Sequence, residues 1–189
     1  TDKKVTSRLI LPDSIEKLFQ LDDHVAAVSA GLVGDARRLV QAARQKAQEH
    51  QMYYNQPIHV ESLAKEVSSL KQLFTQYAGM RPFGVAFIIG GVDETGARLF
   101  ETEPSGALAE YSAVAIGAGR KEAMDLFEKE YASNLSFENS ARLLWRVLEK
   151  ALPKNQKLNL NRVDFAFVDK SRQFKRVERN ELKTLLGAK

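Results

Sequence analysis

Residues 83–119 read FGVAFIIGGVDETGARLFETEPSGALAEYSAVAIGAG, and the kind of sheet this stretch makes decides the fold. Val85 to Val92 is almost wholly apolar, the composition of a strand buried on both faces. Asp93-Glu94-Thr95-Gly96 supplies turn chemistry, so Ala97 to Thr102 is expected to return beside it. Pro104-Ser105-Gly106 turns the chain a second time, and a third strand is expected through Tyr111 to Ile116. Three consecutive strands joined by short turns form an antiparallel meander. The stretch then ends on a glycine pair, Gly117 and Gly119, followed by a helical pattern. A dinucleotide cradle would need a third glycine at position 122, where Glu122 stands, and a parallel strand–helix–strand unit around it. The pair is therefore read as a strand-to-helix joint, and no cofactor is expected.

On the N-terminal side the period is different. His24 to Ala30 reads as a buried strand, and Gly31 and Gly34 punctuate its junction with a helix. Val33, Ala36, Leu39, Val40, Ala43 and Ala47 recur at helical spacing. A second stripe begins after Pro57: Val60, Leu63, Ala64, Val67, Leu70, Phe74 and Tyr77. Beyond the glycine pair come two more helices, Lys121 to Tyr131 and one capped by Ser136 with Leu143, Leu144, Val147, Leu148 and Ala151 as its core face. A hairpin with Val163, Phe165 and Phe167 alternating turns at Lys170-Ser171, and Glu178 to Leu186 closes the chain as a short helix. Helix pairs between sets of antiparallel strands predict an α+β layered sandwich with helices outside two sheets.

Composition narrows the function. The 189 residues contain no cysteine, which removes disulfides, thiolate metal sites and cysteine nucleophiles. His24, His50 and His59 have no ligand spacing, so no metal is expected. No apolar run nears the ~20 residues of a membrane span, and Thr1-Asp2-Lys3-Lys4 does not lead into the apolar core of a secretory signal. The expected location is cytoplasmic. The chain holds 28 Lys and Arg against 24 Asp and Glu, with the excess in residues 153–189. Those basic residues are interleaved with strand residues, the pattern of a solvated edge, so nucleic acid is not an expected partner.

Four blocks together, TDKKVTSRLI (1–10), SIEKLFQLDDHVAAVSAGLVGDARRLV (14–40), residues 73–119 and FEKEYASNLSFENSA (127–141), resemble proteasome α subunits of the archaeal type, in order and in spacing. The resemblance covers essentially the whole chain. It departs at Ala78-Gly79, where the family usually has a glycine pair, and at Met80, often a valine, and a small change in packing is expected there. It implies a four-layer αββα sandwich of the N-terminal-nucleophile hydrolase type. It also implies a single α-type domain over 1–189, from which the family's N-terminal helix and first strands are missing. The implied role is a non-catalytic ring subunit that scaffolds the core particle, gates entry and docks activators. Implied partners are other α subunits in a seven-membered ring, proteasome β subunits, and the C-terminal tails of ring ATPases or other activators. The family's tail pocket maps to Lys17, which would pair the tail carboxylate, and to the turn Gly31, Leu32 and Val33. An alternative is an active hydrolase whose nucleophile is Thr1, with Asp2 and Lys17 resembling the acidic residue and lysine of catalytic relatives. Thr1 stands directly beside Asp2, however, whereas the nucleophile of those relatives lies well upstream of that acidic position.

Overall fold

The computed structural model describes residues 1–3, 9–11, 14–153, 156 and 158–187. Residues 4–8 of the block TDKKVTSRLI lie outside the described residues. The chain packs as two compact units, one of Lys17–Ser112 with Val168–Lys175, the other of Thr1–Glu16, Ala113–Phe167 and Arg176–Lys189.

The first unit is a five-stranded antiparallel sheet, β1 (Leu18–Asp22), β2 (Val25–Gly31), β3 (Val85–Asp93), β4 (Gly96–Thr102) and β5 (Leu108–Glu110), in that order across the sheet. Helices α1 (Val33–Tyr54) and α2 (Val60–Gln76) pack on it. Period-two alternation makes this possible: Val85, Phe87 and Ile89 of β3 and Val25 and Ala27 of β2 are buried. They meet Ala36, Leu39, Val40, Ala43 and Ala47 of α1 and Val60, Leu63, Ala64 and Val67 of α2 in one continuous core. The expectation that β3 is buried on both faces is corrected. Ala86, Ile88, Gly90 and Val92 are only half-buried, because the two helices cover the opposite face.

The Asp93–Gly96 turn closes β3 onto β4 as expected. The Asp93 carboxylate accepts from the Thr95 N–H at 2.8 Å and from the N–H of Val60, at the start of α2, at 2.9 Å. The third strand differs from expectation: it is Leu108–Glu110, and Tyr111 to Ile116 is not strand. Past the Tyr111 N–H, which still donates to the Leu99 carbonyl of β4 at 2.9 Å, Ala113 and Ala115 pack against the core of the second unit, so that apolar run is spent on tertiary burial.

The second unit centres on α3 (Arg120–Glu130) and α4 (Phe137–Ala151), whose Ala123, Phe127, Leu143 and Val147 form its core. The Ser136 hydroxyl accepts from the Asn139 N–H at 3.2 Å and caps α4. Gly119, at φ +76°, precedes α3, and a Cβ there would lie 2.3 Å from the Ala151 carbonyl oxygen. Glycine suits that turn and its close packing on α4, but the expected strand-to-helix joint is corrected, because Tyr111 to Ile116 before it is not strand. A 3-10 turn (Leu160–Arg162) and the terminal helix α5 (Arg179–Leu186) also belong to this unit. Between them in the chain runs the hairpin β6 (Ala166–Val168) and β7 (Phe174–Arg176), of which Val168–Lys175 is part of the first unit.

Three residues read as core-facing are exposed: Val33 (40%), Tyr77 (57%) and Leu144 (41%). Val33 is the first residue of α1 and Tyr77 comes directly after the last residue of α2, so neither has a helical turn over it. In α4 the buried stripe runs through Leu143 and Val147, one residue before Leu144. Helices on antiparallel strands make the chain α+β, the class expected of the N-terminal-nucleophile hydrolase sandwich.

Candidate functional site

At one end of the five-stranded sheet, three segments of the first unit converge. β2 ends on Gly31, which pairs with Val85, the first residue of β3. Gly31 has φ +131°, and a Cβ on it would lie 2.2 Å from the Gly84 carbonyl oxygen, so only glycine lets the two backbones approach. The Leu32 N–H donates to that same carbonyl at 2.9 Å. Leu32 is extended, at φ −72° and ψ 117°, and its carbonyl accepts from the Ala36 N–H at 3.0 Å, which starts α1. A strand end thus becomes a helix start in a single residue.

The turn leaves its apolar side chains facing water. Leu32 is 52% exposed, and Val33 and Gly34 are exposed beside it. Lys17 lies just before β1, and its carbonyl accepts from the Ser29 N–H at 2.9 Å. Its backbone is therefore fixed on the neighbouring strand, opposite a residue two before Gly31. The structure brings together all four residues read from sequence, Lys17, Gly31, Leu32 and Val33, at one end of the sheet.

Sequence reasoning missed the residues that hold this turn. Asp35, in the first turn of α1, receives both terminal nitrogens of the Arg81 guanidinium, each at 2.8 Å. Its Oδ2 also accepts from the Gly84 N–H at 2.7 Å. Arg81 donates once more, to the Pro82 carbonyl at 2.8 Å. The bidentate Arg81 pair, with the Gly84 N–H, holds the Asp35 carboxyl well below the usual carboxylate range against the opposing effect of burial. An acidic residue in the first turn of a helix was the available signal, since it also suits the helix dipole. Its partner lies 46 residues away, a separation that no local pattern spans.

The arrangement places a lysine at a strand end near an exposed apolar turn whose backbone is held on Gly84. Chemically it suits an apolar group carrying a carboxylate.

Thr1 lies in the second unit. Its nitrogen donates to the Asp164 carbonyl at 2.8 Å, and its own carbonyl accepts from the Asp164 N–H at 3.0 Å. Asp2 bridges Val163, and the Lys3 N–H donates to the Arg162 carbonyl at 2.7 Å. Lys3 and Arg162 add ion pairs to Asp164 and Asp2, each at 3.0 Å. Thr1 thus flanks an isolated antiparallel bridge.

A family model described as "Proteasome subunit" matches residues 1–168. The chain is 47% identical to the "Proteasome subunit alpha" of Methanopyrus kandleri over 97% of its own length and 74% of that protein's. It is 46% identical to the protein of the same name from Methanocaldococcus jannaschii, over 98% of this chain and 70% of that one. To that of Methanothermobacter thermautotrophicus it is 54% identical, over 75% of this chain and 57% of that one.

Proposed function

The chain belongs to the proteasome subunit family, and from that premise we propose that it is a non-catalytic outer-ring α subunit whose Lys17 and Gly31–Val33 dock the C-terminal tails of activators. Its chemistry is exclusion. Rings of α subunits, seven to a ring by family resemblance, stack on β subunits, keep folded proteins from the active sites and admit unfolded chains through an axial opening. The proposed setting is the cytoplasm. The observation that carries the docking role is the exposure of Leu32 and Val33 on a turn locked to Gly84, with Lys17 fixed one strand away. A mobile segment would lose that geometry, and a buried one could not be reached.

Lys17→Ala tests it. A charge-assisted hydrogen bond between ammonium and carboxylate contributes about 1.5–3 kcal/mol. Tail-peptide affinity for the assembled full-length protein is expected to fall roughly ten- to a hundredfold, since 1.4 kcal/mol is tenfold. Native mass measurement should show an unchanged ring. Unchanged affinity would place the pocket elsewhere, and loss of the ring would make Lys17 a residue of the subunit seam.

The reading against catalysis by Thr1 rests on its place in the sequence: it stands directly beside Asp2, whereas the nucleophile of catalytic relatives lies well upstream of that acidic position. The Asp2 carboxylate is moreover paired with Arg162 at 3.0 Å. The isolated subunit is expected to turn over no fluorogenic peptide, and turnover that vanishes in Thr1→Ala would restore the hydrolase reading.

A further inference from the structure

The turn that docks a tail is fastened to a second exposed segment. Residues 77–84 run from the end of α2 to the start of β3, and at Arg81 and Gly84 they are tied back to α1. Three links share this short path. The Leu32 N–H meets the Gly84 carbonyl at 2.9 Å, Asp35 meets the Gly84 N–H at 2.7 Å, and Asp35 holds the Arg81 guanidinium in two-pronged fashion at 2.8 Å. The Leu32 side chain lies over Gly84 so closely that a Cβ there would come within 2.8 Å of its Cδ1. Phe83, beside Gly84, is buried and packs against the Phe74 ring in a tilted arrangement, with ring centroids 4.6 Å apart. Residue 84 therefore cannot follow a moving turn without disturbing either Asp35 or a packed ring.

The segment before Arg81 is built differently. Tyr77, Ala78, Gly79 and Met80 are all exposed, and Gly79 has φ +81°. Within this stretch the Met80 N–H donates to the Tyr77 carbonyl at 3.2 Å. Arg81 is the side chain that fastens this apolar-tipped loop to α1.

Resting on the docking role of the Gly31–Val33 turn, we propose that Asp35 and Arg81 are positioning residues that couple occupancy of that turn to the conformation of the Tyr77–Met80 loop. The carboxylate serves both sides at once: one oxygen fixes Gly84, and through it Leu32, while both oxygens hold the guanidinium that anchors the loop. Because the turn is locked to Gly84, any strain that a peptide seated on Leu32 and Val33 puts on it is passed through the shared carboxylate to Arg81. Coupling of this kind is reciprocal, so loosening the loop must also weaken the peptide. A bidentate guanidinium–carboxylate pair suits the task because it fixes orientation as well as distance.

Met80 is a natural reporter, 54% exposed at the tip of the loop. Met52, also exposed, lies near the far end of α1, about 28 Å from Val33 at 1.5 Å per residue, and serves as the control. The experiment labels the methionine methyl groups of the full-length assembled protein. It titrates a synthetic peptide that carries an apolar residue beside its free C-terminal carboxylate, and in parallel the same peptide as its C-terminal amide. The expected result is a Met80 resonance that shifts with the same half-saturation as peptide binding, with Met52 unmoved. In Arg81→Gln and Asp35→Asn the peptide should still bind, about fivefold more weakly, and the Met80 shift should be lost. Arg81→Lys, which keeps the charge without the fork, should restore part of the affinity and little of the shift.

Peptide binding with no Met80 response in the unaltered protein would overturn the coupling. A shift that persists in both variants would show that the peptide touches the loop directly, and would overturn the route through Asp35. Complete loss of binding in both variants would make the pair part of the binding surface and overturn its positioning role. Equal binding of acid and amide, or none of either, would instead overturn the docking reading on which the inference rests.

Discussion

Gly31→Ala is expected to destabilise the protein by about 3 kcal/mol or more and to abolish tail-peptide binding, whereas Gly34→Ala, three residues on, should be neutral or slightly stabilising. The two glycines differ in backbone and in surroundings. Gly31 has φ +131°, a region that L residues rarely enter, and occupying it costs of order 1–3 kcal/mol. The added methyl would also sit 2.2 Å from the Gly84 carbonyl oxygen and 2.8 Å from the Val85 Cα. Both are backbone atoms of β3 or its approach, so no side-chain rotation relieves the contact. The strands must part at the Gly31–Val85 pair, and the Leu32 N–H then loses the Gly84 carbonyl that sets the turn. Gly34 lies in α1 at an ordinary helical φ, with nothing within 4 Å of an added Cβ. Alanine there removes chain entropy from the unfolded state and adds helix propensity, about 0.4–1 kcal/mol in favour of folding. Denaturant titration of the two variants beside the parent reads both signs. Equal stability of Gly31→Ala and the parent would mean that the turn is not built as described.

Local chemistry explains which parts of this architecture could be read in advance. The stripes of α1 and α2 were legible because helical spacing and burial coincide from Ala36 to Ala47 and from Val60 to Val67. The Asp93–Gly96 turn and the Ser136 cap were legible because each rests on side chains within three residues of the groups they satisfy. Tyr111 to Ile116 was misread because an apolar run does not say which core receives it. Ala113 and Ala115 went to the α3–α4 cluster. The turn Gly31–Val33 was visible as punctuation between a strand and a helix, yet its assignment to tail docking came from family resemblance rather than from pattern. Asp35 and Arg81 escaped notice because their contact is purely tertiary. Lys71 was hidden in another way. It continues the stripe of Leu63, Ala64 and Val67 at helical spacing, but its charge argues for the surface, and only the fold reveals an acceptor waiting inside.

That lysine gives the protein an expected pH dependence. Lys71 is fully buried, its ammonium donating to the Thr102 carbonyl at 3.0 Å and to the Thr102 hydroxyl, with the Phe87 ring centroid 5.0 Å away. Burial pushes its pKa down to about 7, against a smaller upward pull from Glu101. In the unfolded chain the same amine keeps its ordinary value near 10.5. Below pH 7 both states hold the proton, and above about 10.5 neither does. Between these limits the unfolded chain binds a proton that the folded one has released, so raising the pH favours the folded state. Stability from this group should therefore climb between pH 7 and pH 10, at no more than about 1.4 kcal/mol per unit and roughly 3 kcal/mol in all. Lys71→Met keeps the length of the side chain and removes the titration. At pH 7 the variant loses the hydrogen bonds to Thr102 but escapes the cost of burying a cation, and its stability should lie within about 1 kcal/mol of the parent. At pH 10 it should be the less stable of the two, because only the parent has gained from losing a proton. Subtracting one denaturation profile from the other removes every titration the two proteins share, including those of the three histidines. A difference that stays constant from pH 7 to pH 10 would show that the Lys71 ammonium keeps its ordinary affinity for a proton inside the fold. The hydrogen bonds to Thr102 would then offset the whole cost of its burial.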